Sequence, residues 1–228
     1  MLEIKDVYFR AGGRDILGHI SLKAKDGEIL AITGPNGSGK STLMKAIAGI
    51  GKSDGKIYLD GQDISELNCT ERARAGISYA FQQPVHFKGL TVRDLLQVAA
   101  TGGESLYEEA PKDLGKFLGI VGLDSSYLDR EINTSLSGGE LKRIEIATVI
   151  ARNAKLMLFD EPEAGIDIWS FTKLVNVFKK LRGEHTLIII SHQKKLLEIA
   201  DRIAVMKDGQ IIKTGTSAKI LPSLEDAQ

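Results

Sequence analysis

GPNGSGKST, running from Gly34 to Thr42, decides how the rest of the chain is read. It matches the phosphate-binding pattern G-x-x-x-x-G-K-[ST], with Gly34 and Gly39 at the glycine positions, then Lys40 and Ser41. An apolar run, EILAIT at 28–33, precedes it and STLMKAIAGI follows, so the motif sits between a strand and a helix. Glycines at 34, 37 and 39 let N–H groups turn inward as an anion-binding nest that side chains would crowd. The helix N-terminus behind the loop adds unpaired N–H groups and partial positive charge. Lys40 is placed to neutralise nucleotide phosphates and the Ser41 hydroxyl to ligate Mg²⁺, with Pro35, Asn36, Ser38 and Thr42 completing the cradle. A glycine-rich turn that merely caps a helix is the alternative, and the strand–loop–helix context weighs against it.

With 228 residues and 43% hydrophobic content, the chain can bury one substantial core but has no room for a second full nucleotide-binding domain. Thirty basic and thirty acidic residues cancel, so the total charge points to no nucleic-acid surface. Apolar runs such as Leu187 to Ile190 are far too short to span a bilayer. The opening MLEIKDVYF alternates like a strand and carries acids early, unlike a signal peptide. The expectation is a cytoplasmic, soluble protein without direct membrane insertion, any membrane role coming through a partner. A single cysteine, Cys69, excludes an intrachain disulfide and a cysteine-built metal site.

Along the chain, strands are expected at 2–9, 28–33, 56–60, 76–81, 155–160, 186–190, 203–206 and 210–213. A turn-rich AGGRD and a second amphipathic run, ILGHISLKA, separate the first two. Asp26-Gly27 and Asp60-Gly61 mark tight turns, and QDISELNCTERARAG reads as a polar connection. Helical spacing begins at Thr91, where Thr91 and Asp94 form a capping box, and recurs in 111–122 with Leu114, Phe117, Leu118 and Val121 on one face. Further helices are expected at 141–152, 168–182 and 193–200. Strands alternating with helices indicate an α/β fold with a mostly parallel sheet. The expected organisation is one domain, with a core at about 1–85 and 153–216 and a helical insert at about 86–152.

Two more stretches carry chemistry. LMLFDE at 156–161 looks like a buried strand ending in carboxylates: Asp160 suits Mg²⁺ and Glu161 a general base acting on water. An acidic strand end facing solvent is the plain alternative. LSGGE at 136–140 places Ser137 and Glu140 as a capping box on a helix, and that cap alone would explain it. Gly138 and Gly139 argue for more, because they leave the helix N-terminus bare enough to meet an anion.

With these motifs in this order, the chain from Leu2 to about Thr216 resembles the ATP-binding-cassette ATPase family. That resemblance implies a P-loop NTPase core, an N-terminal antiparallel β subdomain and an inserted α-helical signature subdomain. It implies ATP and Mg²⁺ as ligands, and a head-to-tail homodimer in which Ser137, Gly138 and Gly139 of one copy contact the γ-phosphate held by the other. By the same resemblance Gln82 senses Mg²⁺ and the γ-phosphate, Ala164 to Asp167 form the D-loop, and His192 is the switch histidine. A lone histidine at a strand end is ordinarily structural; only the ordering of motifs gives His192 a role. Many members stack adenine on an aromatic where this chain has Ala11, so adenine stacking is expected to be weak.

The segment AFQQPVHFKGL at 80–90, together with ERARAGI at 71–77 and SGGELKR at 137–143, resembles the SufC type of iron–sulfur cluster assembly ATPase. This implies a SufB/SufD-like soluble scaffold bound through the groove near Gln83 to Leu90, with the cassette itself holding no cluster. Glu161-Pro162-Glu163-Ala164 is closer to general cassettes. The motor subunit of a membrane transporter therefore stands as the alternative, and a non-hydrolysing regulatory module as a third.

Overall fold

The computed structural model describes residues 1–85, 87–102, 113–133 and 135–225. Two sheets carry the fold. The first is antiparallel, in the order β2-β1-β4-β5, from β1 (Leu2–Ala11), β2 (Arg14–Ala24), β4 (Asp54–Leu59) and β5 (Gln62–Asp63). The second has six strands in the order β10-β9-β3-β8-β7-β6, from β3 (Ile29–Thr33), β6 (Ile77–Ala80), β7 (Leu156–Asp160), β8 (Thr186–Ile190), β9 (Arg202–Lys207) and β10 (Gln210–Thr216). All its pairings are parallel except that of the edge strand β10 with β9.

The parallel strands β3, β7 and β8 are buried at every position, which is why they read as unbroken apolar runs rather than alternating ones. Their side chains divide by parity between two cores. Ile29, Ala31, Met157, Phe159, Leu187 and Ile189 face one cluster, shared with α3 (Val92–Ala100), α4 (Gly115–Ile120), α5 (Gly138–Ala151) and α6 (Ile168–Leu181). Leu30, Ile32, Leu156, Leu158, Ile188 and Ile190 face the other, shared with the antiparallel sheet and α1 (Lys40–Ala48).

Several expectations need correcting. The ILGHISLKA run belongs to a full strand, β2, paired along β1 through a turn at Gly12 and Gly13. The polar segment after Gly61 holds a helix, α2 (Cys69–Arg74), capped by Asn68, whose side chain accepts from Thr70 and Glu71. Its one buried side chain, Arg72, donates to the carbonyls of Ser65, Leu67, Ala46 and Ile47, so polar bonding rather than apolar burial fastens it. Beyond α7 (Lys194–Ile199) and β10, the chain continues into α8 (Ser217–Glu225), past the 153–216 span expected of the core.

Thr91 caps α3 with Asp94 at the third position, as the sequence suggests. The helix expected from Pro111 is α4 here, with Leu114, Leu118 and Val121 buried; residues 103–112 lie outside the described residues. No helix among the described residues is long and apolar enough to cross a membrane.

Candidate functional site

The loop between β3 and α1 has backbone that only glycine tolerates at its first position. Gly34 has φ 138°, and a Cβ there would lie 1.9 Å from the Met206 carbonyl oxygen. β9 thus pins the start of the loop, and Gly39 starts α1 at its end. Lys40 is buried, its Nζ donating to the carbonyls of Gly34 (2.7 Å) and Pro35 (2.9 Å). Burial pulls its ammonium below the usual lysine range, while the Glu161 and Asp160 carboxylates act the other way. The carbonyls hold the charge over the loop, where a phosphate would compete for it.

Asp160 ends β7 with its side chain wholly buried. Burial raises its carboxyl above the usual range, opposed by two hydroxyl donors: Ser41 Oγ to Oδ1 at 3.1 Å and Tyr79 OH to Oδ2 at 3.0 Å. The phenol of Tyr79 is itself pushed up, first by burial and then by the Asp160 charge.

One residue further on, Glu161 has a positive φ of 46°, uncommon for a residue with a side chain. Its Oε2 accepts from Gln82 Nε2 at 2.9 Å, joining the end of β6 to the end of β7. Ile16, Asn36, Lys40, Ser41, Thr42, Gln82 and Glu161 are among the residues that line a pocket of about 540 Å³. His192 lies within electrostatic reach: partial burial and the Lys40 charge lower its pKa, with Glu161 opposing.

Ser41 Oγ and the Asp160 carboxylate are hard oxygen donors of the kind Mg²⁺ takes. Among the described residues no cluster of three or more His, Cys, Asp or Glu can hold a metal alone. The donor set therefore fits an ion that arrives with phosphate and water oxygens of its own.

The remaining residues singled out in the sequence form a second group. Ser137 caps α5, accepting from Glu140 N at 3.3 Å, and the Glu140 carboxylate accepts in turn from Ser137 N at 2.8 Å. Hydrogen bonding from Tyr127 first, and then from Ser137, holds the Glu140 carboxyl at about 2. A Cβ on Gly139 would come within 2.6 Å of the Gly165 carbonyl oxygen, so the loop at 164–167 packs directly on the first turn of α5. Asp167 then caps α6, accepting from Trp169 N and Ser170 N. None of Ser137, Gly138, Gly139 or Asp167 lines the phosphate-loop pocket.

Three participants escaped the sequence reading. Lys142, completely buried, donates to the carbonyls of Phe81, Gln82 and Asp160 and to Glu145, tying α5 to the ends of β6 and β7. Glu163 accepts from Ser191 Oγ at 2.5 Å and so braces the residue before His192. Tyr79 is the third; strand parity with Asp160 was the one signal that could have found it. In the proposed groove Val85 and Phe87 are exposed, and His86 lies outside the described residues.

The family profile described as ABC transporter matches residues 17–164. An uncharacterized ABC transporter ATP-binding protein of Methanocaldococcus jannaschii is 39% identical over 96% of this chain and 90% of its own length. A probable ATP-dependent transporter, ycf16, of Pyropia yezoensis is 38% identical over 95% and 91%. Among solved structures, a dimeric, post-hydrolysis ATP-binding cassette bound to ADP and phosphate superposes with a TM-score of 0.84 at 26% identity, covering 95% of this chain and 99% of that one.

Proposed function

The chain belongs to the ABC transporter family, and from that premise we propose that it hydrolyses ATP between two head-to-tail copies and passes the resulting movement to a partner. The observation that carries this reading is the convergence of Lys40, Ser41, Gln82 and Glu161, with Asp160 bonded to Ser41, from three separate segments at one pocket of about 540 Å³. The ADP- and phosphate-bound dimer of a related cassette is further support.

In this reading residues 34–42 cradle the phosphates, and Lys40 leaves its carbonyl partners to bind them. Ser41, Asp160 and Gln82 would hold Mg²⁺, which would supply neutralisation of phosphate charge there. Glu161 accepts a proton from the attacking water, and His192 faces the γ-phosphate. The partner copy supplies Ser137, Gly138 and Gly139 at the bare helix start, and Asp167 beside it.

For the partner, the AFQQPV segment and SGGELKR favour a SufB/SufD-like scaffold of iron–sulfur cluster assembly, docked at Gln83 to Leu90. A membrane transporter subunit is the second reading, favoured by the names of the relatives. Tagged protein purified from its own cells separates them: a soluble scaffold supports the first, a multi-spanning membrane protein refutes it.

Glu161→Gln tests the chemistry. The variant is expected to bind ATP, to turn over at least a hundredfold more slowly (about 10²–10⁴ for a lost general base), and to accumulate as a dimer. Hydrolysis at the wild-type rate would remove Glu161 from the role.

A further inference from the structure

β6 and β7 run parallel in the register Ile77↔Leu156 and Tyr79↔Leu158. Because side chains alternate along a strand, Ile77 and Tyr79 share a face with Leu156, Leu158 and Asp160. That is the face α1 covers, and Ser41 stands in the first turn of α1. A tyrosine one pair short of the strand ends therefore reaches the carboxylate that closes the neighbouring strand.

The contact holds each oxygen of Asp160 by a hydroxyl from a different element, Ser41 from α1 and Tyr79 from β6. The two donors are not equivalent. Ser41 Oγ also has lone pairs to offer a metal while it donates to Oδ1, whereas the Tyr79 hydroxyl acts on Asp160 by its bond to Oδ2. Its ring meets Phe81 edge-on at 4.7 Å, which limits its freedom to swing away.

We propose that Tyr79 is a positioning residue: by holding Oδ2 it keeps Oδ1 of Asp160 turned toward the metal, and so couples Mg²⁺ to nucleotide affinity. This rests on the reading that Ser41 and Asp160 serve Mg²⁺.

The test is calorimetric titration of ADP into wild type, Tyr79→Phe, Tyr79→Met and Asp160→Asn, in excess Mg²⁺ and again in excess chelator. The readout is the ratio of the two dissociation constants, which needs no turnover. Losing a hydrogen bond to a buried carboxylate should cut the Mg²⁺-dependent gain of both Tyr79 variants about five- to tenfold, with chelator-side affinity unchanged. An unchanged ratio in Tyr79→Phe, or equal weakening with and without Mg²⁺, would overturn the proposal. If Asp160→Asn loses the Mg²⁺ gain while both Tyr79 variants keep it, the metal reading stands and the role of Tyr79 falls. If Asp160→Asn keeps the gain as well, both fall together.

Discussion

At the scale of single residues, strain and buried charge give the clearest expectations. Gly34 and Gly37 belong to the same loop, yet a Cβ on Gly37 meets nothing within 4 Å whereas one on Gly34 strikes backbone of β9. Gly37→Ala should therefore cost only the left-handed strain, about 1–2 kcal/mol. Gly34→Ala should cost about 4 kcal/mol or more, because the obstacle is a strand of the central sheet. Urea denaturation of the two variants decides it. Lys142 offers a second case. Removing it as Lys142→Ala leaves Glu145 and three carbonyls without their cation, for a loss of about 3–5 kcal/mol. Pairing Lys142→Met with Glu145→Gln, which keeps an acceptor for Phe81 N, should recover a good part of that loss in the same measurement.

The first turn of α5 carries a prediction that belongs to the element. Ser137→Ala removes the cap and should cost about 1 kcal/mol. Glu140 adds a pH dependence whose sign is fixed. Its carboxyl titrates near 2 in the folded chain and near 4.5 in the unfolded one, so the unfolded state takes up a proton first as pH falls. Its contribution is whole above about pH 4.5 and fades toward pH 2. Glu140→Gln should flatten that part of the acid limb; melting temperatures between pH 6 and 3 test it.

Elements also show what the sequence could reveal. The strands β3, β7 and β8 were legible because burial on both faces leaves an apolar run, and α3 because its capping box lies within four residues. α2 was missed because its residues are polar and only Arg72 is buried, although Asn68 and Glu71 held the signature of its start. β1 and β2 carry Asp6 and His19 at positive φ beside bulges, a distortion set by cross-strand pairing. In the site, motif residues were visible through local spacing. The bonds of Tyr79 and Lys142 to Asp160 span 81 and 18 residues and depend on strand order, which no local pattern encodes.

For the molecule as a whole, the proposed dimer predicts that Ser137→Arg leaves the monomer folded and able to bind ATP yet prevents the dimer that Glu161→Gln accumulates. Size-exclusion chromatography of the double variant with ATP and Mg²⁺ should give a monomer; a surviving dimer would contradict the head-to-tail arrangement. The two cores bear on the same assembly. Both lean on one wall, the strands β3, β7 and β8, which is covered on both faces. Amides in those strands should be the last to trade hydrogen for deuterium, needing the whole chain to open, whereas those of α3 and α4 should trade through smaller openings. The phosphate loop and Asp160 hang from the tips of that slowest-opening wall, while Ser137 rides on the helices outside it. In the proposed dimer one grip on the nucleotide is thus built like a fixed jaw and the other like a movable one, and ligand-induced protection beyond the phosphate loop's own amides should be confined to the second.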